Sequence, residues 1–222
     1  MEDTKVLAAS DTAGLVAFFS AYINERKPRL NGLIMAGGKS TRMGQDKSLI
    51  EYHGKPQREF LLELLAPICN EVFVSCSASQ ELPAGLPLIR DSFDGIGPMA
   101  GLLSAFRQDP DAAWLCVAVD LPYLSRVSLD ALVQYRDPTC VATAFMNGDA
   151  EHPEPLITIW EPKAYSRLLL ALGEGITCPR KVLLNTDVRL LQAPDERELT
   201  NANDPASYEQ ALVNIKAPGP RQ

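Results

Sequence analysis

The stretch Leu33-Ile34-Met35-Ala36-Gly37-Gly38-Lys39-Ser40-Thr41-Arg42-Met43-Gly44-Gln45-Asp46-Lys47 constrains this chain more than any other. The apolar run from Gly32 to Met35, with Ala36 behind it, reads as a short buried strand. Two adjacent glycines then break it, where the absence of a Cβ lets the backbone approach a ligand closely. Lys39, Arg42 and Lys47, with Ser40 and Thr41, bring cations, hydroxyls and backbone N–H groups to one turn, which is what polyphosphate binding requires. A Walker loop would place Lys and then Ser or Thr directly after its last glycine. A dinucleotide fold would need three spaced glycines opening a helix. Neither spacing is present.

A third kind of nucleotide loop fits. The segment from Ala36 to Lys47 resembles the signature of the molybdenum cofactor guanylyltransferases, within the larger class of nucleotidyltransferases that attach an NMP and release pyrophosphate. Transferases that act on sugar phosphates, on methylerythritol phosphate or on the cytosine form of the molybdenum cofactor share the glycine-rich start but commonly carry proline before the lysine. Here Asp46 precedes Lys47. The resemblance implies Leu33, Ala36, Gly37, Gly38 and Lys47 as nucleotide-binding residues, and Arg42 and Lys47 as catalytic ones.

With 222 residues, the chain is long enough for one sizeable α/β domain with an appendage. Its net charge of −7 disfavours nucleic acid and anionic membranes, so an anionic nucleotide must be drawn by local charge. No stretch approaches the roughly 20 apolar residues of a membrane span, and the acidic start Glu2-Asp3 lacks the basic character of a secretory signal, which points to the cytoplasm. The five cysteines form no C-x-x-C pair and read as reduced, mostly buried thiols. With only His53 and His152, histidine catalysis and histidine metal sites are not indicated.

Residues 1–30 lie outside the expected transferase and read as an N-terminal extension or the remnant of an upstream module. Lys5 to Ala9 suggests a strand. Asp11 suggests the cap of a helix whose Leu15, Val16, Phe19, Tyr22 and Ile23 share one face, a face that something must cover. The transferase itself spans 31–214, and 215–222 is a frayed tail. Ser48 to Tyr52 reads as an extended excursion, Pro56 to Ile68 as a helix, and Glu71 to Ser75 as the second core strand. Ser75 stands where the resembling transferases often carry asparagine, and it is a nucleotide-site candidate.

Leu88 to Ser92 closes a third strand. The turn Gly97-Pro98-Met99-Ala100-Gly101 behind it opens a helix that packs close to a ligand. The resemblance carries Asp91, Gly97 and Gly101 over as nucleotide-site residues. Trp114 to Val119 is the most continuously apolar strand and ends in Asp120, where open α/β sheets place ligands. The resemblance makes Asp120 the Mg²⁺ ligand. Strands at Thr139–Met146 and Pro155–Trp160 flank a polar segment where the family admits its acceptor. Helices follow from Pro162 and from Cys178, then a strand over Asp187–Leu191 and a last helix from Pro205. Arg180 and Lys181 at a helix start oppose the helix dipole, a conflict that a bound anion relieves. With Asn201 and Asn203, which resemble the family's terminal asparagines, they are the acceptor-binding candidates.

Together these features imply a three-layer Rossmann-like α/β fold of the nucleotide-diphosphosugar transferase type, with a mostly parallel sheet. The implied reaction is transfer of GMP from GTP to molybdopterin-bound molybdenum, with Mg²⁺ as cofactor and other molybdenum cofactor biosynthesis proteins as partners. Two other readings stand beside it. One is a different nucleotidyltransferase, cytidylyl transfer to the cofactor or NTP transfer to a sugar phosphate, and Asp46 counts against it. The other is a non-catalytic nucleotide-binding module, which would have no need of Arg42, Lys47 and Asp120 together.

Overall fold

The computed structural model describes residues 12–37, 47–80, 82–83, 85–147 and 152–216. The expected strand at Lys5–Ala9, the cap at Asp11, the site residues Gly38 and Arg42, and the tail from Ala217 lie outside them. The elements follow in the order α1 (Thr12–Glu25), β1 (Leu30–Met35), α2 (Gln57–Leu65), β2 (Val72–Cys76), β3 (Leu88–Arg90), α3 (Pro98–Gln108), β4 (Ala113–Ala118), α4 (Arg126–Gln134), β5 (Ala142–Asn147), β6 (His152–Trp160), α5 (Ala164–Gly173), α6 (Pro179–Leu184), β7 (Val188–Gln192) and α7 (Pro205–Lys216). Single turns of 3-10 helix stand at Lys47–Leu49 and Glu196–Leu199.

One seven-stranded sheet runs in the order β3-β2-β1-β4-β6-β5-β7. The pairs β1–β2, β1–β4, β2–β3 and β5–β7 are parallel, whereas β6 is antiparallel to both its neighbours. This is the mostly parallel α/β architecture that the sequence implies. The central strands β1 and β4 are buried at every position, so they read as continuous apolar runs rather than alternating ones.

Side-chain alternation along these strands feeds two cores. Leu33, Met35, Trp114 and Cys116 face α3, α5 and α6 through Leu102, Phe106, Leu168 and Val182. Ile34, Leu115 and Val117 face α2 and α4 through Leu61, Leu65, Leu129 and Leu132. The sheet is thus the middle of three layers. A third, smaller cluster joins Ile50 and Tyr52 to Ala202 and Ala211, with Tyr208 packed edge-on to Tyr52, and ties α7 to the segment that follows the glycine loop.

Three expectations need correction. Lys47–Leu49 coils into a helical turn rather than running extended; Ser48 is fully buried there, and Ile50 carries the chain into the third cluster. The apolar face of α1 is not covered by the described residues: Val16, Phe18, Phe19 and Tyr22 are exposed, and no α1 residue joins any of the three clusters. Of the cysteines, Cys76 and Cys116 are buried, Cys69 and Cys140 are half-buried and Cys178 is exposed, so burial is less general than the composition suggests. Among the described residues no helix is long and apolar enough to cross a membrane.

Candidate functional site

The carboxyl ends of β1, β2, β3 and β4 lie along one edge of the sheet, and most of the expected site residues arrive there. At the end of β1 the Ala36 N–H donates to the Ser75 carbonyl at 3.1 Å, which sets the glycine turn against β2. A Cβ on Gly37 would stand 3.4 Å from Asp91 Oδ2 and 3.6 Å from the Ser77 backbone nitrogen, so the strand end and the loop after β3 already touch van der Waals limits. Ser75 Oγ donates to Asp91 Oδ1 at 3.0 Å. Burial holds the Asp91 carboxyl above the ordinary carboxylate range, while the Ser75 hydrogen bond pulls it back. The result is an oriented acceptor at the mouth of the site, suited to N–H groups of a base or hydroxyls of a ribose.

Behind this pair, α3 comes unusually close. Gly97 takes φ +59 at the N-cap, a left-handed conformation that favours glycine. A Cβ on Gly101 would stand 2.5 Å from Ser75 Oγ and 2.7 Å from Met35 Cε, so any larger residue there must displace one of these side chains or the helix from the ends of β1 and β2. Leu33 is different. It is fully buried within the core, three residues before Ala36, and its side chain belongs to the packing under the site rather than to the site surface.

The second group assembles beyond the end of β4. Lys47 Nζ lies 3.5 Å from Asp120 Oδ2 and donates to Asn203 Oδ1 at 2.7 Å. The Ala202 N–H donates to the Asp120 carbonyl at 2.8 Å, so the segment before α7 is fastened to the strand end that carries the aspartate. Burial pushes the Asp120 carboxyl above the ordinary range, and the Lys47 ammonium opposes that shift. Asp120 Oδ1 is buried, and no other described residue donates to it. A buried carboxylate oxygen left without a donor costs free energy unless a cation or donor meets it, so the residues present fit a divalent metal. Among the described residues no group of three or more His, Cys, Asp or Glu side chains stands together, and a hard cation held by one or two carboxylates and by substrate phosphates needs no such group.

The antiparallel direction of β6 delivers its first residues to this same edge. The β4–β6 ladder runs as far as Val117 and Ile157, and Glu154, earlier on β6, lies near enough to Asp120 for the two carboxylates to repel each other. Glu154 is 4% exposed, and its Oε2 faces Arg180 Nη2 at 3.5 Å. The anion expected to answer Arg180 is therefore supplied in part by the chain itself. Glu154 and Arg180 border a polar cavity of about 320 Å³ that Asn147, Thr200 and Asn201 also line. A second cavity of about 400 Å³, on the other side of Arg180, is walled by Gly97, Pro98, Pro155 and Leu156.

Lys181 does not join this group. It lines a separate groove with Arg167 and Glu174, because successive residues of a short helix point in different directions. Glu154 is the site-edge residue that sequence reasoning did not single out. Only the reversed direction of β6 reveals it, and no local spacing encodes that.

The model of the MobA-like NTP transferase domain matches residues 32–190. The chain is 32% identical to a molybdenum cofactor guanylyltransferase of Xanthomonas euvesicatoria pv. vesicatoria, over 82% of this chain and 93% of that protein. It is 36% identical to a molybdenum cofactor biosynthesis bifunctional protein of Synechocystis over 82% of this chain, and it spans about half, 53%, of that relative's length. Among solved structures, the molybdopterin-guanine dinucleotide biosynthesis protein A of Archaeoglobus fulgidus superposes with a TM-score of 0.68 at 22% identity, covering 83% of this chain and 97% of that one, a likeness of fold.

Proposed function

The chain belongs to the MobA-like NTP transferase domain family, a nucleotidyltransferase family, and from that membership we propose that it transfers GMP from GTP to molybdopterin-bound molybdenum, forming the guanine dinucleotide cofactor and releasing pyrophosphate. The observation that carries this reading is the convergence of Lys47, Asp120 and Asn203, three residues distant in sequence, on one point beyond the end of β4. In the reaction a phosphate oxygen of the acceptor attacks the α-phosphorus of GTP. The bond from that phosphorus to the α–β bridging oxygen breaks, and pyrophosphate leaves with the bonding pair. Such a transfer asks little covalent chemistry of the protein; it asks for alignment and for charge opposite the phosphates.

Lys47 supplies a cation at that point, and Asn203 fixes its direction. Asp120 would hold Mg²⁺ through its undonated Oδ1, and the metal when bound neutralises charge building on the phosphate oxygens. Asp91 and Ser75 would receive guanine or ribose, and the turn at Ala36 and Gly37 the phosphates, with Gly38 and Arg42 contributing from the glycine loop. Asn201 and Arg180 would meet the acceptor on the β6 side. Residues 31–214 would form the transferase unit, with 1–30 an extension, and dependence on GTP places the reaction in the cytoplasm. The test is to incubate the protein with Mg²⁺, molybdopterin-bound molybdenum and each NTP in turn, and to measure pyrophosphate and dinucleotide. Product with CTP but not with GTP would replace this reading by cytidylyl transfer, and no product with any NTP would leave a binding module.

A further inference from the structure

The transfer machinery leaves Glu154 without a task, yet few groups in the molecule are placed at such expense. Its side chain is 5% exposed, at the start of β6 and on the same edge as Asp120. Oε1 accepts the Leu156 N–H at 3.2 Å. Oε2 stands 3.5 Å from Arg180 Nη2, too far for a good charged hydrogen bond, and Arg180 Nε is buried with no partner among the described residues. A buried carboxylate paired this loosely with a half-exposed guanidinium whose Nε is buried leaves hydrogen-bonding capacity unused, which is costly at the buried atoms and available to a ligand. The polar cavity beside them, about 320 Å³, gives that ligand access.

A carboxylate next to a guanidinium presents two acceptors followed by a fork of donors. The flat edge complementary to that order has two adjacent N–H donors and then a carbonyl, which is the edge of a 2-amino-4-oxopyrimidine. We propose that Glu154 and Arg180 read this edge on the pterin of the acceptor, the carboxylate taking the 2-amino and ring N–H groups and the guanidinium the 4-oxo oxygen. The assignment rests on the reading of the acceptor as a molybdopterin.

Guanine carries the same edge, and the sheet order separates the two. Asp91 and Ser75 belong to the β2–β3 side of β1, whereas Glu154 lies across β4 from them, with Asp120 and Lys47 between. The neighbouring cavity walled by Pro98, Pro155 and Leu156, with Arg180 on its boundary, offers an apolar wall to the ring faces.

The test compares 6-hydroxymethylpterin with 6-hydroxymethyllumazine, in which an oxo group replaces the 2-amino group, by their fluorescence on titration with protein. The wild-type protein is expected to bind the pterin at least tenfold tighter than the lumazine. Glu154→Gln should erase that preference by weakening the pterin, Arg180→Met should weaken both compounds, and GTP affinity should stay unchanged in each variant. A wild-type protein without the preference, including one that binds neither compound, overturns the proposal whatever the variants do. So does a Glu154→Gln protein that loses GTP affinity and keeps the pterin, since the edge read is then guanine. GMP transfer by the wild-type protein is assayed separately: discrimination without transfer supports the site and defeats the functional reading, and transfer without discrimination does the reverse.

Discussion

Lys47 Nζ meets Asn203 Oδ1 at 2.7 Å across 156 residues of chain. The same ammonium stands 3.5 Å from Asp120 Oδ2. The Lys47 ammonium is therefore held from two sides, by the residue just beyond β4 and by the segment entering α7. Lys47→Ala removes the charge proposed to face the phosphates and leaves Asp120 without its counter-ion. A loss in kcat/KM worth roughly 3 kcal/mol is expected, as for other groups that face developing charge. Steady-state pyrophosphate release measures it, and a loss below threefold would remove Lys47 from the mechanism.

Asp120→Asn is expected to separate activity from stability. Turnover should fall by on the order of a hundredfold or more, because the charge stabilisation a bound metal supplies amounts to several kcal/mol. The ligand-free fold should gain. The unfolded carboxyl titrates near its ordinary 3.8 and the folded one above that, so within this window the native state holds more protons, and stability falls as pH rises through it. Asparagine has no such titration. The variant should melt higher than the parent at pH 7, and the difference should disappear below the ordinary value. An equal Tm for both proteins at every pH would contradict the burial argument.

Gly101→Ala tests the close approach of α3. Alanine in a helix interior is favoured over glycine by roughly 0.5–1 kcal/mol. Against this, a Cβ 2.5 Å from Ser75 Oγ must break the Ser75–Asp91 hydrogen bond or push the helix away. Overpacking of this kind costs about 1–3 kcal/mol, so a net destabilisation of about 1 kcal/mol is expected in urea unfolding, together with weaker nucleotide binding. A variant more stable than the parent would show that the site edge relaxes freely.

Much of this arrangement was legible in the residues. The apolar runs ending in Ala36-Gly37 and in Asp120, and the Gly-Pro turn before α3, mark the strand ends and the close helix that the structure brings to one edge, because strand burial and glycine placement are local properties. Long-range facts were not legible. That Lys181 leaves Arg180 and that Glu154 comes near Asp120 depend on helix phase and strand direction. The uncovered face of α1 escaped for the opposite reason. Its helical spacing implies an apolar stripe but says nothing of what lies against it.

Removing residues 1–28 should leave the transferase intact. The cut preserves Arg29, whose guanidinium grips Asp109 Oδ2 at 2.5 Å and 2.8 Å beside the start of β1. No α1 side chain is part of the described cores. GTP affinity within twofold of the parent by calorimetry is the expected result. A folded but non-binding truncation would place part of the site in the extension.

Base choice is the last expectation. GTP should bind at least tenfold, or about 1.4 kcal/mol, tighter than ATP or CTP, with Asp91 among the groups that decide it. Calorimetry with the three nucleotides at one salt concentration reads this directly. Equal affinity for CTP would favour the cytidylyl reading.

The reversed strand β6 has a consequence for how such a chain diversifies. Because β6 runs back against β5, the last residue of β5 and the first of β6, Asn147 and His152, pair at the same edge of the sheet as the carboxyl ends of β1 to β4. Lengthening a connection costs only about 0.6 kcal/mol per doubling, and it leaves the ladder on either side in register. Change at this end of β5 and β6 can therefore alter the edge of the candidate site while the four parallel strands β1 to β4 stay as they are, an inheritance in which one half of the molecule is free to drift and the other is not.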